Sequence, residues 1–213
     1  MARATFVKSA QKDIYTHGKR VEYISEKGKR IGQTKSKLDR TIPADENDTV
    51  FIAKGQSYYW WQFMNGGKNF SLTYPKRSQL TQSGFLSQLY DLEDKIGSFS
   101  ADNKDDFDSF KSEVLDEITE MKDQCEESKS SMPEHLQEVG SGETLTERID
   151  ALDSWHSEID SVECDYDEDD LRTEIKEEDD SLSEDEIESA LAEKIQEKVD
   201  EAISSIQDAS SGL

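Results

Sequence analysis

A reversal of charge near residue 80 most constrains what this chain can fold into. Residues 1–80 carry 15 Lys and Arg against 7 Asp and Glu, a net of +8, whereas residues 81–213 carry 10 against 42, a net of −32. Like charges at the second density repel one another in a compact body, so two electrically distinct segments are expected, with a boundary near residue 80. Apolar content restricts the fold further. Leu, Ile, Val and Phe total 43 of 213 residues, close to the level at which highly charged chains stop folding. That excludes a single large α/β enzyme domain around a continuous apolar sheet, as well as collagen-like and disulfide-rich classes. No apolar run approaches the about 20 residues that a membrane helix needs, and the opening residues carry charge without the apolar stretch of a secretory signal. Two cysteines, Cys125 and Cys164, are consistent with a reducing compartment.

Before the boundary the texture is strand and turn. Val21, Tyr23 and Ser25 alternate with Glu22, Ile24 and Glu26, and Gly28 offers the positive φ of a tight turn, so a short hairpin is expected. Residues 35–49 read as a loop, because Pro43 interrupts a ladder and Asp45, Glu46, Asn47 and Asp48 are turn formers. Residues 51–75 hold 8 of the 18 aromatics. Strands are expected at 57–64 and 68–74 around Asn65-Gly66-Gly67, since Asn-Gly accommodates consecutive positive φ angles. Phe70, Leu72 and Tyr74 share one face of the return strand. The outgoing strand is apolar on both faces, with Tyr58, Trp60 and Met64 on one and Tyr59, Trp61 and Phe63 on the other. One face joins the small core; the other is covered by a helix or meets a partner or ligand. The candidate binding residues are Tyr59 and Trp61 with Arg20, Lys27, Lys29, Arg30 and Lys68, because aromatics stack on bases while cations track phosphates.

Beyond Pro75 the apolar period changes to three or four. Phe85, Leu89, Leu92 and Ile96 mark a helix from near Thr81 to Gly97. Phe107, Phe110, Val114, Ile118, Met121 and Cys125 mark a second, from near Asp102, close to a coiled-coil seam. After a connector at 131–142, Leu145, Ile149, Leu152, Trp155 or His156, Ile159 and Val162 mark a third. Residues 163–180 contain 11 acidic and 2 basic residues and read as a disordered or solvated acidic linker, with Asp165, Asp167, Glu168, Asp169 and Asp170 as an acidic interaction surface. Ser183 and Glu186 fit a capping box that opens a last helix, with Ile187, Leu191, Ile195, Val199, Ala202 and Ile206 on one face. The expected fold is α+β. A small antiparallel sheet occupies 1–80, an acidic three-helix region 81–162, a linker 163–182 and an amphipathic helix 183–210, the helices forming a bundle or coiled hairpin.

Catalytic chemistry lacks its usual residues. None of His17, His135 and His156 stands at metal-ligand spacing from another His or Cys, and HExxH, CxxC, GxSxG and phosphate-loop patterns do not occur. In the run Asp165-Tyr166-Asp167-Glu168-Asp169-Asp170, an EF-hand register fails at its sixth position, Asp170, and at its twelfth, Lys176. No catalytic residue, metal ligand or cofactor is assigned, and no enzyme activity is expected. The stretches MARATFVKSAQKD, KGQSYYWWQFMNGGKNFS and SQLTQSGFLSQLYDLEDKI resemble a group of small bacteriophage-encoded proteins, over roughly residues 1–97. The resemblance implies a viral product in the cytoplasm of a bacterial host, and it supplies no binding or catalytic residues.

The expected function is that of an interaction protein working through charged surfaces. Its expected partner is nucleic acid or a host protein with a basic surface, with no membrane involved and with homo-oligomerisation through the helices as a further option. Two alternatives stand beside it. One is an acidic DNA mimic that inhibits a host DNA-binding enzyme; the other is a structural or assembly protein that oligomerises through its helices.

Overall fold

The computed structural model describes residues 1–26, 32–64, 66–179 and 182–210, in an α+β fold of two compact units, Met1–Ser87 and Gln88–Leu213. Residues 81–87 are uncharged, so the first unit keeps the net +8 and the second the net −32.

Seven short strands build the first unit: β1 Thr5–Val7, β2 Ile14–Tyr15, β3 Lys19–Ile24, β4 Thr34–Asp39, β5 Val50–Ile52, β6 Tyr58–Gln62 and β7 Lys68–Ser71. They pair antiparallel as a three-stranded sheet, β1-β6-β7, and two ribbons, β2-β5 and β3-β4. The expected aromatic hairpin is β6-β7, with Trp60 opposite Phe70 and Trp61 opposite Asn69. Its strands are shorter than expected because the chain leaves the ladder at Gln62. There the Gln62 amide donates to the Gly66 carbonyl at 3.0 Å, and Gly66 N–H closes a turn onto Phe63 O at 3.2 Å. Asn65 lies outside the described residues.

The hairpin expected from Val21 and Tyr23 is also present, but its return strand falls where a loop was expected. The ladder runs from Lys19 opposite Asp39 to Ile24 opposite Thr34. Residues 34–39, Thr-Lys-Ser-Lys-Leu-Asp, show no alternation because the ribbon buries neither face, and most of its side chains are exposed. Its expected turn glycine, Gly28, lies outside the described residues.

The apolar core of this unit is small. Ala10, Ile14 and Ile52 are buried, with Tyr58 and Phe70 packed against them. Hydrogen bonds to one carboxylate supply much of the remaining order. Asp48, its side chain 1% exposed, accepts from the backbone N–H groups of Gly18 at 2.8 Å, Ala44 at 2.9 Å and His17 at 3.0 Å, and His17 Nδ1 lies 3.2 Å away. This joins the β2–β3 turn to the loop before β5. The turn itself needs Gly18, which has a φ of +70° and whose absent Cβ would lie 2.6 Å from Arg40 Cα.

Burial pushes the Asp48 carboxyl pKa upward, but the donors from Ala44, His17 and Gly18 outweigh it and hold the group well below the usual carboxylate range. A depressed folded pKa contributes stability above the unfolded value of about 3.9, and that stability is lost as pH falls through the folded value. Asp48→Asn is therefore expected to lower the melting temperature at neutral pH. The gap from the parent should close as pH is taken below about 4, which thermal melts across that range would measure.

The second unit is helical, comprising α2 Lys104–Ser130, α3 Glu134–Gln137, α4 Ser141–Asp160, α5 Glu168–Glu178 and α6 Glu184–Ser210; α1 Gly84–Gly97 begins in the first unit and ends in the second. The start expected at Thr81 moves to Ser83, whose hydroxyl accepts from Leu86 N–H at 3.3 Å. Asn103 caps α2 by accepting from Asp106 N–H at 2.8 Å. Most apolar positions read from sequence are buried, among them Phe107 to Cys125 on α2, Leu145, Leu152, Trp155 and Ile159 on α4, and Ile187, Leu191, Val199, Ala202 and Ile206 on α6, whereas Phe85, Ile149, Val162 and Ile195 are half-buried. α2 packs along α4, and α6 packs against both. Both cysteines are free and buried, and burial raises their thiol pKa values, so they act as small apolar groups.

Residues 163–182 correct the linker expectation, because α5 occupies 168–178. Asp167 caps it by accepting from Asp169 and Asp170 N–H at 2.8 and 3.2 Å. Leu171 and Ile175, one turn apart, bury against Ile187 and Leu191 of α6. The expected capping box opens α6: Ser183 N–H donates to Glu186 Oε2 at 2.8 Å, and Glu186 N–H donates to Ser183 Oγ at 3.4 Å.

One glycine in the second unit is required for close packing. A Cβ on Gly142, in the first turn of α4, would collide with the backbone carbonyl oxygens of Leu136 and Gln137. Gly142→Ala should therefore cost about 1–3 kcal/mol by overpacking. Chemical denaturation followed by circular dichroism would measure it.

Candidate nucleic-acid interface

The two units use their cations differently. In the second, the basic side chains hold helices together against an excess of carboxylates. Lys95 of α1 donates to Glu117 at 2.7 Å and Glu113 at 3.0 Å of α2, and Lys122 of α2 meets Asp153 of α4 at 2.6 Å. Lys194 of α6 bonds Glu174 and Glu178 of α5 at 3.2 Å, and Arg172 reaches Glu188 at 2.8 Å. Lys111 donates to the Asp160 and Val162 carbonyls at 2.7 and 2.8 Å, where the C-terminal end of α4 favours a cation. Hydrogen bonds to their carboxylate partners raise the pKa values of Lys95, Lys104 and Lys122. With 42 acidic residues against 10 basic ones, most carboxylates of this unit remain uncompensated.

In the first unit fewer cations are spent on carboxylates. Among the described residues, Arg3, Lys8, Lys12, Lys19, Arg20, Lys35 and Lys37 form no ion pair. On the β3-β4 ribbon, Lys19, Lys35 and Lys37 share a face with Val21 and Tyr23, and Lys37 Nζ lies 5.6 Å from the Tyr23 ring centre. Arg20 projects from the opposite face beside Leu38. Tyr23, Ile24 and Leu38 are exposed. Lysines along an open ribbon also discourage edge pairing with another chain, and the same charges suit a polyanion.

The expected binding residues are distributed unevenly. Arg20 and Lys68 are exposed on the first unit, whereas Lys27, Lys29 and Arg30 lie outside the described residues. Trp61 is 5% exposed and cannot offer its ring to a base. Tyr59 is half-buried, engaged with Phe6 at 5.1 Å in a tilted contact and with Tyr74 at 5.4 Å edge-on. Of the two aromatic candidates, Trp61 is buried, while Tyr59 stays partly exposed beside Phe6 and Tyr74. The accessible indole belongs to the other face of β6, where half-buried Trp60 carries Lys68 Nζ 4.3 Å from its ring centre. Both apolar faces of the strand are covered in part: Trp61 is buried on one, and on the other Tyr58 and Phe70 pack against Ala10, Ile14 and Ile52 beside the half-buried Trp60.

The acidic candidates serve local order while remaining exposed. Asp165 pairs with Lys104 at 3.3 Å, Asp167 caps α5, and Glu168, Asp169 and Asp170 form its acidic first turn, favourable to the helix dipole.

A cavity of about 330 Å³ between α2 and α4 is lined by Ser128, Met132, Ser141, Thr144, Leu145 and Arg148. The Ser128 and Thr144 hydroxyls are spent on the Gln124 and Gly140 carbonyls, at 2.7 and 3.1 Å. Among the described residues, no group of three or more His, Cys, Asp or Glu gathers as metal ligands, and no helix is long and apolar enough to cross a membrane. No family model, curated protein or solved structure matches the chain.

Proposed function

We infer that this is a non-enzymatic interaction protein whose basic first unit binds nucleic acid. The observation that carries this reading is the contrast in cation use. The second unit spends its basic side chains on internal partners, while on the ribbon of the first Lys19, Arg20 and Lys37 are exposed, Lys35 is half-buried, and none of the four forms an ion pair among the described residues. Phosphates supply the complementary charge and release counterions when neutralised. The acidic unit repels nucleic acid and so directs contact to the ribbon, and its field also suits a host protein with a cationic surface. On the resemblance to bacteriophage proteins, this activity is proposed to take place in the cytoplasm of an infected bacterium.

A duplex-mimicking inhibitor is the second reading, favoured by the uncompensated carboxylates of the helical unit. Assembly through helix stripes has less support, because the stripes on α2, α4 and α6 are buried within the chain. Fluorescence anisotropy of labelled oligonucleotides with the full chain separates the first two readings. Binding at about 50 mM salt that is lost by about 500 mM supports nucleic-acid recognition. No binding at either salt, with displacement of DNA from a cationic host enzyme, supports mimicry.

A further inference from the structure

Trp60 and Phe70 are cross-strand neighbours on the face of β6-β7 that also carries Lys68. Lys68 Nζ lies 4.3 Å from the Trp60 ring centre, and Arg40 Cζ lies 5.8 Å from that of Phe70. The result is one strip in the order Lys68, Trp60, Phe70, Arg40, with a cation at each end, the half-buried Trp60 as its stacking ring, and Phe70 anchoring it to the core of Ala10, Ile14 and Ile52.

Arg40 is the informative member. Its Nε is buried without a hydrogen-bond partner, and among the described residues no carboxylate pairs with its guanidinium. Arg40 as a whole is half-buried, so its guanidinium charge, without a carboxylate partner, favours an anion that approaches from outside the chain. Phosphate oxygens match a guanidinium geometrically. A free phosphate would satisfy Arg40 alone and give Trp60 no role. A single-stranded nucleotide chain offers both a phosphate and an unstacked base face, whereas a duplex keeps its bases stacked on one another.

Resting on the nucleic-acid reading above, we propose that the Lys68–Trp60–Phe70–Arg40 strip is a single-strand site. A base stacks on Trp60 in the place Lys68 Nζ now takes, and Lys68 and Arg40 hold the flanking phosphates. This assigns a ligand class and a position distinct from the β3-β4 ribbon, which would track the backbone further along.

Tryptophan accessibility tests it on the full chain. Of the three tryptophans, Trp61 and Trp155 are 5% and 2% exposed, so acrylamide quenching reports mainly on Trp60. Single-stranded oligothymidylate at low salt should protect Trp60 from acrylamide, while a duplex of equal length and inorganic phosphate should not. Trp60→Leu should weaken oligothymidylate binding by about 5- to 100-fold. Lys68→Gln, an exposed change away from the core, should reduce the log–log salt slope by about 0.7. Protection by duplex or phosphate to the same extent would overturn the single-strand assignment. Steeply salt-dependent oligonucleotide binding that leaves Trp60 quenching and both variants unchanged would overturn the strip and spare the broader reading. No oligonucleotide binding at low salt would remove both.

Discussion

Phe107→Ala should destabilise the helical unit by about 3–5 kcal/mol, the largest stability effect expected of a single substitution here. Phe107 is 0% exposed and opens the buried stripe of α2, one turn beyond the Asn103 cap. Its removal costs the transfer of the ring from water and leaves a cavity that the packed neighbours fill only in part. Domains of this size are held by about 5–15 kcal/mol in total, so the variant should be partly unfolded near physiological temperature. Phe6→Ala is the matched control. Phe6 is 55% exposed, against the edge of Tyr59, and its loss should cost about 1 kcal/mol or less. Urea unfolding followed by circular dichroism gives both values. A cost below about 1 kcal/mol for Phe107→Ala would mean that α2 does not pack as described.

The helical half was largely legible because burial there follows a single stripe on each helix. Phe107 to Cys125 and Ile187 to Ile206 stand at the spacing of one helix face, and most of these residues are buried. α5 escaped because its charge density resembles that of a disordered run, and only two side chains, Leu171 and Ile175, face the core. Their partners Ile187 and Leu191 lie on another helix, beyond the reach of local periodicity. β4 escaped for a different reason. A ribbon with no buried face has no hydrophobic alternation, and its pairing shows only in the register with β3.

The candidate site was half legible. The aromatic strand and the surplus of cations stand out in the sequence, which left open whether the Trp61 face is covered or binds; Trp61 is buried. Arg40 counted among the basic residues before the hairpin, but its place over Phe70, with its carbonyl accepting from Tyr15 N–H at 2.7 Å, depends on pairings that local sequence does not show.

Reversing Lys19, Lys35 and Lys37 together to Glu should weaken nucleic-acid binding by at least about a hundredfold at 0.1 M salt, the largest functional effect expected. Three cations on one ribbon face become three anions, so each lost phosphate contact is replaced by repulsion. Stability should change little. These side chains form no ion pair among the described residues; Lys19 and Lys37 are exposed, where a charge contributes about 1 kcal/mol or less, and Lys35 is half-buried. An unchanged circular dichroism spectrum and melting temperature would show that the lost affinity comes from the surface rather than from unfolding. Equal affinity in parent and variant would exclude the ribbon as the contact surface.

Whether the first unit meets phosphates is measured most directly by the salt dependence of oligonucleotide affinity. For the full chain, log affinity should fall linearly with log salt between about 50 and 300 mM, by about 0.7 per single-strand phosphate or 0.9 per duplex phosphate neutralised. The Lys19/Lys35/Lys37→Glu variant should give a line shallower by about two units or more. A flat line for the parent chain, or no detectable binding at the lowest salt, would contradict the account.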